Sequence, residues 1–136
     1  SVTLELQATS AVVVWAPPES VESLVDNLVG NAIKYVDVGG EVLVRLTQSE
    51  HLALLEVEDN GPGIAEADRE RAFQRFTRLD NPRAESGAGL GLAIVQSVTQ
   101  ALGGRVALRR SERLGGLHVY IELPLKPPSP DGLRRP

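Results

Sequence analysis

Asn27, Asn31 and Lys34 stand four and three residues apart within DNLVGNAIKY, the segment from Asp26 to Tyr35. On a helix that spacing puts all three on one face, with Tyr35 beside them. A carboxamide oxygen is a hard, neutral ligand for magnesium, an ion that keeps several waters and takes one or two protein oxygens alongside substrate phosphates. Asn31 is the expected metal ligand on this face, Lys34 a point charge for a phosphate oxygen, and Tyr35 an aromatic wall. A helix with a merely solvated polar face would carry the same residues, so this face gains meaning only in company with two segments further along the chain.

Those two segments supply complementary chemistry. In VEDNGPGI, Val57 to Ile64, Asp59 leaves an apolar strand, and Gly61 and Gly63 let the backbone approach a flat ligand closely. A carboxylate at such a place accepts from an amine, and the exocyclic amino group of adenine is one; any other base would leave the carboxylate unpaired. An ordinary turn is the competing reading, because N-G and P-G mark turns anywhere. In SGAGLGLAIV, Ser86 to Val95, Gly87, Gly89 and Gly91 alternate at the start of an apolar helix, offering free amides and a positive helix end to phosphates, or serving only as a flexible joint. The spacing is neither the dinucleotide fingerprint nor a P-loop. Taken in order, the three segments are those an ATP and magnesium pocket needs.

The chain of 136 residues, 42% hydrophobic, suits one domain that buries roughly two thirds of its unfolded surface. A net charge of −4 and a pI near 5.2 lack the electrostatic footprint of a nucleic-acid binder. Cysteine is absent, which excludes disulfides and thiolate metal sites and fits a reducing compartment. No apolar run of about 18 residues and no secretory leader pattern is present. Methionine is absent too, so Ser1 is expected to begin an excised fragment.

The elements that must position these residues can be read from periodicity. Val2 to Leu6 and Ala11 to Trp15 read as strands joined around Thr9 and Ser10 and pairing as a hairpin. Pro17 and Pro18 open a helix with Val21, Leu24, Val25, Leu28 and Ile33 as its apolar stripe. Glu41 to Leu46 and Leu52 to Val57 alternate around the turn Gln48 to His51. From Ala65 to Ser86 the chain is polar, with a short helical piece near Asp68 to Phe76, and reads as a long mobile loop. Leu90 to Leu102 is a helix ended by Gly103 and Gly104, before a hairpin of Arg105 to Arg109 and His118 to Leu123 turned at Gly115 and Gly116. The tail from Lys126 to Pro136 is too rich in proline and charge to order itself, so the domain is expected to span residues 1–125.

These residues resemble the catalytic, ATP-binding domain of sensor histidine kinases, a branch of the Bergerat-fold superfamily that includes gyrase B subunits, ninety-kilodalton chaperones and mismatch-repair ATPases. DNLVGNAIKY is similar to the asparagine box, DNGPGI to the first glycine box, AFQRF from Ala72 to Phe76 to the phenylalanine box, and GAGLGLAIV to the second glycine box. The resemblance implies an α/β sandwich: a mixed five-stranded sheet backed by three helices, with a mobile ATP lid over about Ala65 to Ser86. It makes Asn31 the magnesium ligand, Asn27 its neighbour one turn earlier, Lys34 a phosphate contact, Tyr35 a packing residue for the base and Asp59 the adenine selector. Arg78 resembles the lid arginine that approaches the terminal phosphate, with Arg75 and Arg83 on the same loop. The expected nucleotide contacts are then Asn27, Asn31, Lys34, Tyr35, Asp59, Gly61, Gly63, Ile64, Gly87, Gly89, Leu90, Gly91 and Leu92. Two departures stand out: Pro18 replaces an aspartate common at the helix start, and GGLHVYIELP replaces the commoner G-x-G-[ST]-x-F.

Hydrolytic members of the superfamily, and similarly the anti-sigma-factor serine kinases, carry a glutamate where this chain has Asn27, and asparagine cannot take a proton from water. The resemblance therefore implies a kinase that passes the γ-phosphoryl group of ATP to a histidine on an upstream dimerisation domain, for relay to an aspartate on a response regulator receiver domain. An imidazole acceptor already has its lone pair, so no strong base is needed. The chain's own His51 and His118 lie in a polar turn and an alternating strand, contexts that favour structural roles. The fragment is expected to be a monomer, from the cytoplasmic side of a membrane-anchored sensor that dimerises through its upstream helices. A hydrolytic Bergerat-fold ATPase and a nucleotide-binding interaction module are the other readings. Phe73 and Phe76 either anchor a gating lid or simply pack in the core.

Overall fold

Two prolines set where the first long helix begins. Pro17 is extended, at φ −61° and ψ 139°, and Pro18 opens α1, Pro18–Tyr35. Proline suits a first turn, whose amides have no partner within the helix and whose φ it already has. Glu19 in the first turn and Lys34 in the last complement the helix dipole. The computed structural model describes residues 2–8, 14, 16–36, 39–74 and 91–125, with the side chain of Tyr35 outside that set.

The buried line along α1 is Leu24, Leu28, Ala32 and Val36. Val25 and Ile33, counted in the stripe by periodicity, are 38% and 42% exposed. With Val29 packed beside this line, the covered strip is still narrower than the apolar arc of the helix.

Five strands form one mixed sheet in the order β1-β2-β3-β5-β4. β1, Thr3–Ala8, runs parallel to β2, Glu41–Gln48, with Thr3 opposite Glu41. Among the described residues the neighbour of β1 is thus the strand beyond α1; the expected hairpin partner runs from Ala11 to Trp15. That segment lies outside the described residues apart from Val14, which is in no strand. Parallel neighbours need a long crossover, and α1 provides it. β3, Leu52–Asp59, pairs antiparallel with β2 and with β5, Leu117–Pro124, which in turn pairs with β4, Arg105–Arg110.

β3 is central, and Glu56, Val57, Glu58 and Asp59 at its end are all buried. Alternation sends Val57 and Asp59 to the helix side and Glu56 and Glu58 to the other face. On the helix side Val42, Val44, Val57, Val119 and Ile121 join Leu24, Leu28, Leu92 and Val95 in the core. The second helix, α2, Gly91–Ala101, packs on α1 and β4. It ends where Gly103 turns to φ +79° and Gly104 N–H donates to Thr99 O at 2.9 Å.

Where a helical piece is expected near Asp68 to Phe76, the chain makes two single 3₁₀ turns, Glu66–Asp68 and Arg71–Phe73. Two α-helices therefore back the sheet among the described residues, instead of three. A segment this short, with Ala72 and Phe73 as its apolar contribution to the core, cannot offset the cost of helix nucleation. The second half of the expected lid, from 75 to 86, lies outside the described residues, as do residues 87–90 and the tail from 126 to 136. Among the described residues no helix is long and apolar enough to cross a membrane.

Candidate nucleotide-binding site

The last three turns of α1 carry the polar face anticipated from spacing. Asn27 Nδ2 donates back along the helix to Ser23 O at 2.7 Å, which fixes its carboxamide against the preceding turn. Asn31 is half-buried one turn on, and Lys34 is exposed in the final turn. The start of α2 comes directly against them: a Cβ built on Gly91 would stand 3.4 Å from Asn31 Oδ1 and 3.9 Å from Asn27 O. A hard carboxamide oxygen thus lies beside the N-terminal turn of another helix with no side chain between, an arrangement that fits a hydrated cation and the phosphates it accompanies.

Asp59 sits where β3 ends and is 4% exposed. Its Oδ1 accepts from Gly61 N–H at 2.9 Å and from Leu117 N–H at 3.1 Å, and its carbonyl accepts from Gly116 N–H at 2.9 Å. Burial raises the Asp59 carboxyl above its ordinary value, while the amides of Leu117 and Gly61 pull it back. No salt bridge reaches Asp59 among the described residues. Asn60, next in the motif, acts structurally: its Oδ1 accepts from Glu41 N–H at 2.9 Å and so ties the turn to the start of β2.

Gly63 adopts φ +73°, and a Cβ there would lie 3.4 Å from Gly116 C, so the first glycine turn stacks on the β4–β5 turn. Ile64 packs against the core and Leu92 is 6% exposed within it. Tyr35's side chain, Arg78, Gly87, Gly89 and Leu90 lie outside the described residues, as do Arg75, Phe76 and Arg83. Phe73 is partly buried against the core.

The structure also brings in residues that belong to none of the motifs. Gly116 and Leu117 furnish two of the three amides on Asp59; their linear signals are the Gly115-Gly116 pair, which reads as a hairpin turn, and the segment GGLHVYIELP that stands in place of G-x-G-[ST]-x-F. That turn is held by Ser111, fully buried, whose Oγ donates to Glu58 Oε1 at 2.8 Å and accepts from Leu114 N–H at 2.9 Å. On the same sheet face Arg45 Nη2 donates to Glu56 Oε1 at 3.0 Å and Glu58 Oε2 at 3.1 Å, and His118 Nε2 lies 2.8 Å from Glu56 Oε1. His118 therefore has a structural partner, and His51 is exposed in the β2–β3 turn.

Known proteins share this arrangement. Residues 16–127 match the family model described as histidine kinase-, DNA gyrase B-, and HSP90-like ATPase. The sensor protein kinase CarS of Pseudomonas aeruginosa is 43% identical over 108 residues, 79% of this chain and 23% of that protein. The chain spans about a quarter of the length of the curated relatives it matches. Among solved structures, the mycobacterial sensor histidine kinase MprB superposes with a TM-score of 0.81 at 32% identity, over 93% of this chain and 85% of that one. The ATP binding domain of PrrB from Mycobacterium tuberculosis gives 0.73 at 28% identity, over 92% and 81%. The chain belongs to the histidine kinase-, DNA gyrase B-, and HSP90-like ATPase family, and within it is an ATP-binding domain homologous to the catalytic domains of sensor histidine kinases.

Proposed function

We propose that this domain binds ATP with magnesium and presents the γ-phosphoryl group to a histidine on a dimerisation domain elsewhere in a longer sensor protein, for relay to a response regulator. The observation that carries the reading is Asp59, a carboxyl buried to 4% exposure at the end of the central strand and oriented by backbone amides instead of a cation. So held, it can accept from the 6-amino group of adenine and is left unpaired by a base that offers no donor there.

Asn31 is the residue assigned to magnesium, since its oxygen is hard, neutral and beside the bare start of α2. When bound, magnesium would neutralise phosphate charge as the transferring group leaves. Lys34 contributes a second positive charge from the end of α1. Arg78 is assigned to the terminal phosphate, Tyr35 to the base, and Gly87, Gly89, Leu90 and Gly91 to the phosphate-facing loop. Asn27, bonded to Ser23 O, cannot act as a general base, which supports transfer over hydrolysis. Asn31→Ala in a chain joined to its acceptor domain should lose transfer. The family match ending at residue 127 supports a domain that closes with β5 near Leu125. The parent protein is read as membrane-anchored, with this domain on its cytoplasmic side, as a monomer in isolation and a homodimer in full.

Calorimetric titration with a non-hydrolysable ATP analogue, with and without magnesium and repeated on Asp59→Asn, tests this reading. Magnesium-dependent binding that the substitution weakens by about ten- to a hundred-fold is the expected result. Wild-type binding that Asp59→Asn leaves intact overturns the base-selector role.

A further inference from the structure

Asp59 is held by a turn that is itself held from the opposite face of the sheet. Ser111 N–H donates to Gly116 O at 2.7 Å, Ser111 O accepts from Gly115 N–H at 2.7 Å, and Ser111 Oγ takes Leu114 N–H at 2.9 Å. One fully buried residue thus ties together both ends and the middle of the loop whose next two amides, of Gly116 and Leu117, meet Asp59. The Ser111 hydroxyl has one proton to donate, and Glu58 Oε1 takes it at 2.8 Å. Glu58 is 4% exposed and anchored by Arg45 at 3.1 Å. Glu58 and Asp59 are consecutive residues of one strand facing opposite ways, so the contact with Ser111 references the turn to the very strand that carries the selecting carboxyl.

We propose that Ser111, fixed by Glu58, is a positioning residue that sets the domain's preference for adenine by aiming the Asp59 carboxyl, without itself touching nucleotide. The proposal rests on the reading of Asp59 as base selector. Leu117 N–H and Gly61 N–H both bond the same oxygen, Oδ1, and so fix the carboxyl plane from two sides. Without Ser111 the Leu117 side of that clamp is free to shift, and a misaimed carboxylate loses its bond to an amine while the phosphate contacts stay as they are. Aim and mere folding are distinguishable, because partial unfolding lowers the affinity for every nucleotide by the same factor.

The experiment titrates the full chain, with magnesium, against ATP and against purine riboside triphosphate, which lacks only the 6-amino group. The readout is the ratio of the two affinities. Wild type should prefer ATP by about ten- to a hundred-fold, the worth of one hydrogen bond to a charged group, and Asp59→Asn should collapse that preference. Ser111→Ala should lower the ratio by at least about threefold. Glu58→Leu, which leaves the Ser111 hydroxyl without its acceptor, should lower it as Ser111→Ala does. Should Ser111→Ala fail to fold, Glu58→Leu decides the matter. A ratio unchanged in folded Ser111→Ala or Glu58→Leu overturns the proposal while Asp59 remains the selector. A ratio that Asp59→Asn itself leaves unchanged removes the selector reading and the proposal with it.

Discussion

Gly116 lies so close to Asp59 that a Cβ on it would collide with Asp59 Oδ1 and stand 2.5 Å from Asp59 O and 2.6 Å from Gly61 N. The atoms in the way belong to the candidate site itself, and they are backbone or a bonded carboxyl that cannot swing aside. Gly116→Ala is expected to cost about 1–3 kcal/mol of stability by overpacking and to abolish ATP-analogue binding. Gly104→Ala meets an equally close obstacle, Glu122 O, at the far end of the β4–β5 hairpin. It should lower the urea midpoint comparably yet leave the affinity of the folded fraction unchanged. Parallel urea melts and titrations separate the two.

Asn31 and Lys34 should fail in different ways. Asn31→Ala removes the carboxamide oxygen beside Gly91, so the affinity for an ATP analogue should become nearly independent of magnesium. Lys34→Ala removes a charge and should weaken binding roughly ten- to a hundred-fold with magnesium dependence retained. Titration of each variant with and without the ion reads both effects.

Acid should weaken nucleotide binding through Asp59. The ionised carboxylate is the form that accepts from an amine, and burial raises its titration above the ordinary 3.8. Affinity for an ATP analogue is therefore expected to fall as pH drops through a midpoint above 3.8, and Asp59→Asn should lack this acid limb. Stability runs the other way. The folded chain takes up this proton more readily than the unfolded chain, so the group's contribution is fullest below 3.8 and is lost as pH rises through the folded-state value. Asp59→Asn should at neutral pH melt no lower than wild type.

Burial along α1 separates core from surface within one apolar arc. Leu24 is fully buried and Leu24→Ala should cost about 2–5 kcal/mol in chemical denaturation. Val25, one residue on and 38% exposed, should tolerate serine within about 0.5 kcal/mol. Equal losses at the two positions would contradict the packing of α1 on the sheet.

Much of this molecule is legible in one dimension because the forces concerned are local. Pro17 and Pro18 set the start of α1 through a fixed φ and missing amide protons, Gly103 and Gly104 end α2, and period-two alternation marks β2 through β5. Asn27, Asn31 and Lys34 share a face by helical spacing alone. Asp59, Gly61 and Gly63 announce a turn after a strand within a few residues.

The tertiary structure decided what depends on partners far along the chain. β1 lies in register with β2 across the whole of α1. Neither strand's own pattern encodes that choice, because backbone bonds are the same with any neighbour. Val25 and Ile33 are apolar on the correct side of the helix, but the sheet beneath covers a narrower strip than their hydrophobicity asks for. Ser111 and Glu58 are polar residues 53 apart with no motif between them, and only the pairing of β3, β5 and β4 makes them partners. A carboxyl leaving a strand ahead of a glycine turn was readable at Asp59 from its neighbours in sequence; what holds Asp59 in place was not, since Gly116 and Leu117 reach it through the sheet and not along the chain.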